Sequence, residues 1–289
     1  MIPLLAPLGL AVAATVALGA LGERLSPLHT ARLAAAAIAA VFVTVLAVSW
    51  VVAVGFVAHQ PIVDQWFAWC RAIGGHHRVS AVVGLPMTAV ALAASASGLR
   101  VARAWRRDRG GSAAVRVVGS DRPFAHAEAG RHGAIVVSTA MLAVLDDDER
   151  RALLAHERSH LANRHDRFLA VGMLGAGLAV LAPAVRALRH ALERWADEDA
   201  ADVVGSRTVV ARAVARAALA GHDDVAPGHA GIAGADVPAR VEALMHPPVR
   251  GPVASAWALV AAVAAVVVLG ASAVQVHHIG ALLVALCPS

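Results

Sequence analysis

The chain has no lysine and no tyrosine, so all 25 of its basic side chains are arginines. With so much alanine and valine around them, this reads as a codon bias of the genome rather than a functional choice. Aromatic residues make up 4% of the sequence and charged residues 16%, against 58% hydrophobic. The mean hydropathy of +0.66 is too apolar for a soluble globular protein of 289 residues. Cysteine is scarce too: Cys70 and Cys287 lack the spacing of a metal site, and either form one disulfide or remain two unrelated thiols. A net charge of +5 would suit a nucleic-acid partner. No interleaved aromatics or recognisable module accompany the basic residues, which excludes direct nucleic-acid binding.

The apolar residues fall in blocks. Residues 2–22, 34–58, 79–99 and 254–274 are nearly free of charge. Each is long enough to cross ~30 Å of hydrocarbon as a helix. The first is too long, and too poorly preceded by positive charge, for a good secretory signal, and a signal anchor is the alternative. None carries the acids or histidines that an ion path requires, which argues against transport. Arg100, Arg103, Arg106, Arg107 and Arg109 follow directly on the third block, the mark of a cytoplasmic flank. The expected order is then an outer amino terminus, 23–33 inside, 59–78 outside, 100–253 inside and an outer carboxyl terminus. Both cysteines fall on the outer side of this scheme.

Only residues 100–253 have ordinary globular composition. They open with strand-like runs at Val115–Val118, Pro123–Ala127 and Ala134–Ser138, punctuated by Gly119, Gly130 and Gly133 as if by hairpin turns. Asp146 and Glu149 resemble a capping box, with acids at the helix's positive end. Leu153, Leu154 and Leu161 keep helical rhythm beyond it, until Arg164 and His165 close the helix. Within it lies His156-Glu157-Arg158-Ser159-His160. Histidines four apart share one helix face and can converge on one ion, while the adjacent glutamate is placed to take a proton from water. That is the pattern of a zinc hydrolase with a third ligand elsewhere. The alternative is a chance match in a chain with 15 histidines.

A third ligand is available downstream, where E-x-x-A-D occurs twice, as Glu193 to Asp197 and as Glu198 to Asp202. Five residues apart on a helix, the two glutamates point about 140° away from each other, so only one can face the metal. A carboxylate one turn further on can brace a zinc-bound imidazole. The other acids would form a solvated face paired with Arg189 and Arg194. Residues 168–185 are apolar but cannot cross the bilayer, since the ligands on either side must meet at one ion. They are expected as a core, interfacial or re-entrant helix, with Pro183 near its end.

The strand-like G-A-I-V-V-S, the acidic cap, A-L-L-A-H-E-R-S-H-L-A-N-R-H-D, Pro183 and E-R-W-A-D-E-D-A-A together resemble the integral-membrane metallopeptidases of the BlaR/MecR antirepressor type, notably the short actinobacterial members. HtpX-type membrane proteases are more distantly similar. The motifs carrying the resemblance lie in about 115–215. Ala196-Asp197-Glu198 matches the family's Asp-Glu pair, although Ala196 stands where the family often has cysteine. The resemblance implies His156, His160 and Glu193 as zinc ligands, Glu157 as general base and Asp197 bracing a histidine. It implies 134–138 as the edge strand that pairs with substrate. An oxyanion donor must replace the missing tyrosine, and Arg207, His222 and His229 are the candidates.

The expected fold is mainly α: a polytopic membrane protein with about four transmembrane helices and a cytoplasmic α+β zincin-like (gluzincin) protease domain. Residues 1–99 would hold three spans, 100–253 the peptidase and 254–289 the last span and a short tail. The expected activity is zinc endopeptidase action on a peptide or protein substrate at the membrane, cleaving a regulator such as a small winged-helix repressor. Quality control of membrane proteins is the alternative, followed by a non-catalytic scaffold. The sensor domain that β-lactam-sensing relatives carry after their last span has no room before Ser289.

Overall fold

The computed structural model describes residues 25–58, 60, 79–107, 114–128, 133–178, 181–221 and 236–248. The expected spans at 2–22 and 254–274, both cysteines and the 59–78 loop apart from Gln60 lie outside them.

Helix α1 runs from Pro27 to Val57, its proline in the first turn, where a missing N–H costs nothing. Helix α2, Ala81–Arg107, continues past the expected end of its apolar block, so Arg100, Arg103, Arg106 and Arg107 are on the helix itself. The two pack side by side. Gly84 sits so close to the Phe56 ring that a Cβ there would come within 2.2 Å of it. The Trp50 indole N–H donates to Ser95 Oγ at 3.0 Å. Both helices are long and apolar enough to cross a membrane, yet only 33% of the most apolar stretch of α1 and 11% of that of α2 is buried. Val82, Leu85, Leu92 and Leu99 are exposed along α2. A bilayer would cover such a surface.

Strands β1 (Ala114–Val118), β2 (Ala125–Glu128) and β3 (Ala134–Ser138) lie close to the expected runs, but their arrangement differs. The order is β1-β3-β2, with β1 parallel and β2 antiparallel to β3. β1 and β2 therefore form no hairpin. β3 has a partner on each side and is the most apolar and buried of the three, so it cannot be the edge strand expected at 134–138. Ser120 and Thr139 tie the start of the crossing to the end of β3: Ser120 N–H donates to Thr139 Oγ1 at 3.1 Å, and that hydroxyl donates back to the Ser120 carbonyl at 3.0 Å.

Among the described residues, five helices follow α3 (Thr139–Val144): α4 (Asp147–Ala162), α5 (His165–Gly175), α6 (Ala182–Val204), α7 (Arg207–Gly221) and α8 (Val237–Met245). The apolar stretch 168–185 is thus not one helix. α5 stops at Gly175, the chain turns, and α6 starts with Pro183 in its first turn. Gly175 allows the turn to pack, because a Cβ there would lie 3.1 Å from Val185 and 3.2 Å from Ile38. Ala31, Ala34, Ile38 and Val41 of α1 form one core with Leu181, Ala184, Leu188 and Leu192. A second core joins α4, α6, α7 and α8 through Ala152, Ala155, Ala200, Val210 and Leu244.

Candidate active site

The helix carrying the H-E-x-x-H motif is fixed at both ends. At its start the expected capping box is present, with Glu149 N–H donating to Asp146 Oδ1 at 2.9 Å and Asp146 N–H to Glu149 Oε2 at 3.1 Å. Glu149 is fully buried, and Arg216 from α7 pairs with it at 2.7 Å. At its end, Asn163 rather than His165 caps the helix. The Asn163 amide donates to Asp199 Oδ2 at 2.7 Å and to Ser159 Oγ at 3.0 Å, tying α4 to α6. Arg164 then takes a left-handed conformation (φ 54°), which reverses the chain so that His165 opens α5 facing back towards His160.

His156, His160 and Glu193 meet in one cluster whose ligand atoms all lie within 4.8 Å of one another. The two Nε2 atoms are 3.1 Å apart. Glu193 Oε2 is 3.5 Å from His156 Nε2, and Oε1 is 3.7 Å from His160 Nε2. A tetrahedral ion with ligands at ~2.0–2.1 Å needs donors about 3.3 Å apart, so the three distances bracket the edge of a zinc polyhedron. The donor set fits zinc in type and in spacing. Glu198, the other candidate, turns away and pairs with Arg207.

Asp197 stands behind His156, its Oδ1 2.9 Å from Nδ1 in a contact bent off the ring's N–H line. That leaves Nε2 facing the cluster. Arg240 of α8 grips Asp197 with both arms of its guanidinium, Nε to Oδ2 at 2.8 Å and Nη2 to Oδ1 at 2.7 Å, while Nη1 lies 3.0 Å from Glu193 Oε2. Burial opposes charge on every member of this group, but mutual pairing outweighs it. Asp197 is held below the ordinary carboxylate range by Arg240 and His156. Glu193 is held down chiefly by His156, with Arg240 assisting. Asp197 and Glu193 together raise His156 to about 10. His160 goes the other way, to about 4, because burial and the neighbouring His156 both disfavour its charge. Glu157 is almost buried, and that burial raises its pKa.

An open cleft runs past the cluster, lined by Ala125, His126 and Ala127 of β2 and by Glu157, His165 and Leu169 opposite. Of the oxyanion candidates, Arg207 is not on its wall. Its guanidinium is used by Glu198 and by the carbonyls of Leu244 at 3.0 Å and Ala243 at 2.8 Å, where it closes the end of α8. His222 and His229 lie outside the described residues. Arg240, His126 and His165 escaped the sequence reading. Only His165 left a signal, as a histidine directly after the motif helix.

A His-Glu-x-x-His helix, a glutamate from a second helix and a carboxylate bracing one imidazole define a zinc-dependent metallopeptidase. The sequence profile of Peptidase family M48 matches residues 76–236, more than half of the chain, and the chain belongs to that family. No curated protein and no solved structure matches it.

Proposed function

We propose that this metallopeptidase is a multi-pass membrane endopeptidase of the antirepressor subtype, with its active site on the cytoplasmic side, which cleaves a regulatory protein such as a small winged-helix repressor. Three features support the membrane placement: the two exposed apolar helices, the arginines closing α2, and the turn between α5 and α6. Eleven residues of α5 reach only about 16 Å, roughly half a bilayer, before the chain returns towards Glu193.

The observation that carries endopeptidase action is the backbone of β2. Ser138 N–H donates to the Phe124 carbonyl at 2.9 Å, so in this antiparallel pair residues 124, 126 and 128 bond to β3. Ala125 and Ala127 then direct their N–H and C=O groups outward, to the side where no strand pairs among the described residues. Both alanines line the cleft, and the Ala127 N–H acts on the Glu157 carboxylate. An extended peptide can add there as a further strand, read through its main chain beside the metal ligands. The small alanine side chains leave that approach open.

His156, His160 and Glu193 would hold the zinc. When bound there, zinc supplies the positive charge that polarises a scissile carbonyl and acidifies water. Glu157 receives the proton of the attacking water and passes it to the departing amine, which completes the hydrolysis. Its burial suits the task, because a raised pKa makes a carboxylate a stronger base. The test is purified full-length chain in detergent, with β-casein as an unstructured substrate and metal content measured alongside. Glu157→Gln should retain zinc and lose at least about a hundredfold in rate. Cleavage at the wild-type rate by that variant would overturn the mechanism.

A further inference from the structure

We propose that His165 is the positioning residue for the ligand His160: it accepts the His160 Nδ1–H, which fixes the tautomer that leaves Nε2 free for the metal. The inference rests on the zinc-site reading above and adds to it a partner for the second histidine.

The two Nδ1 atoms are 2.8 Å apart, a hydrogen-bond distance, so one must donate and the other accept. The direction follows from what surrounds His160. Its Nε2 faces His156 and Glu193 in the ligand cluster, so Nε2 must carry the lone pair and the proton of the neutral ring belongs on Nδ1. The reverse bond would place a proton on Nε2 and block it as a ligand. His165 therefore carries its own proton on Nε2.

That nitrogen is buried and has no hydrogen-bond partner among the described residues, in a side chain only 1% exposed. Leaving a buried N–H unpaired is costly, and such a group needs a reason. The reason is at the other end of the ring, where geometry is imposed from two sides. The left-handed Arg164 swings His165 back onto His160, with ring centroids 4.7 Å apart and planes at 85°. Trp195, two residues beyond Glu193 on α6, closes on the His165 ring at 4.8 Å, and Phe168 supports Trp195 at 6.1 Å. The ring is thus held between the helix of the histidines and the helix of the third ligand.

The two ligand histidines are consequently braced in unequal ways. Behind His156 is the Asp197 carboxylate, whose charge Arg240 balances. Behind His160 is a neutral imidazole, which accepts a hydrogen bond without bringing a charge. A carboxylate at position 165 would instead bring a further negative charge beside the cleft that Glu157 and Glu193 already line, with the rings of His160 and Trp195 packed against it.

The experiment uses the full-length chain in detergent and measures zinc affinity by competition with a chromophoric chelator, with the visible absorption of the cobalt-substituted protein as a second readout. His165→Phe keeps a ring against Trp195 but removes the acceptor. His165→Asn can place Oδ1 where Nδ1 stood. We expect His165→Phe to weaken zinc binding about 10–100-fold and to shift the cobalt bands, and His165→Asn to stay within about threefold of wild type with the bands restored. A purely packing role predicts the opposite ranking, since phenylalanine preserves the volume. Wild-type affinity in His165→Phe, or a folded His165→Asn as weak as the phenylalanine variant, overturns the proposal. If His165→Phe fails to fold, His165→Asn decides alone: zinc binding within about threefold of wild type with unshifted cobalt bands supports the proposal, and a loss of about tenfold or more overturns it. A wild-type chain that takes up no zinc would instead overturn the metal site itself, which is a distinct failure.

Discussion

Replacing Arg240 with leucine should destabilise the protein far more when zinc is withheld than when it is present. Arg240 supplies two hydrogen bonds to Asp197 and lies 3.0 Å from Glu193, so one side chain neutralises two carboxylates of the site. Asp197 is 1% exposed, and water cannot replace the guanidinium there. Removing one partner of a buried ion pair costs about 3–5 kcal/mol, because the other charge is stranded. For a unit of this size each kcal/mol corresponds to about 2–4 °C, so without zinc the midpoint should fall by about 6–20 °C. A divalent ion at His156, His160 and Glu193 takes over the countercharge for Glu193, which restores part of the loss. The assay is thermal denaturation in detergent with EDTA or with zinc, read as apparent midpoints. Zinc should raise the midpoint of Arg240→Leu by more than it raises that of wild type. Adding Asp197→Asn to Arg240→Leu should recover stability, because it removes the stranded charge. If Arg240→Leu melts with wild type in EDTA, or the double variant is no better than the single one, the electrostatic account is wrong.

Glu193→Ala should lose zinc, whereas Glu198→Ala should keep it and show only a lower melting midpoint from the loss of the Arg207 partner, both measured by metal analysis and thermal denaturation. Zinc uptake should release about one proton per ion near neutral pH, because His156 is raised to about 10 and holds a proton that zinc must displace, while His160, lowered to about 4, is already neutral. Affinity should then weaken as pH falls through that range, and calorimetry in buffers of different ionisation enthalpy would show the released proton. Cysteine probes at Asp121, Asp166 and Arg207 should all label from the cytoplasmic face and a probe at Gln65 from the outside. Opposite faces for Asp166 and Arg207 would break the proposed topology.

What was legible in the sequence is what neighbouring residues decide. The motif helix announces itself through the acidic cap, the leucine rhythm and the four-residue histidine spacing, all within one element. The strands were visible as β-branched runs, but their order was not, because nothing within a strand says which neighbour it takes. Gly119, Gly130 and Gly133 suggested successive hairpins; β2 and β3 do pair antiparallel, but β3 is inserted between β1 and β2, so the first hairpin does not form. The edge-strand assignment failed for that reason, and the edge beside the cleft belongs to β2. Arg240 was illegible for a related reason. It lies 43 residues from Asp197 in a short helix of ordinary composition, and only tertiary structure gives it meaning. His165 was misread because a histidine at a helix end commonly serves as a terminal cation, and the left-handed residue is Arg164 itself rather than a glycine or the neighbouring Asn163.

The division into spans and a peptidase unit expected from composition is not respected by the packing. Leu188, Ala191 and Leu192, all within about a turn and a half before Glu193, belong to the same core as Ala31, Ala34, Ile38 and Val41 of α1. Trp195, packed against that core, also presses on His165. One face of α6 is therefore fixed by a membrane-length helix while the other presents the third ligand to α4. Cutting the chain between residues 99 and 100 would remove the surface that sets the axial position of Glu193, and leave apolar side chains of α5 and α6 uncovered. Donors need about 3.3 Å spacing around a tetrahedral ion, so a displacement of α6 by a fraction of a helical rise would already spoil the ligand set. Measurements on the metal site thus require the intact chain, α1 included.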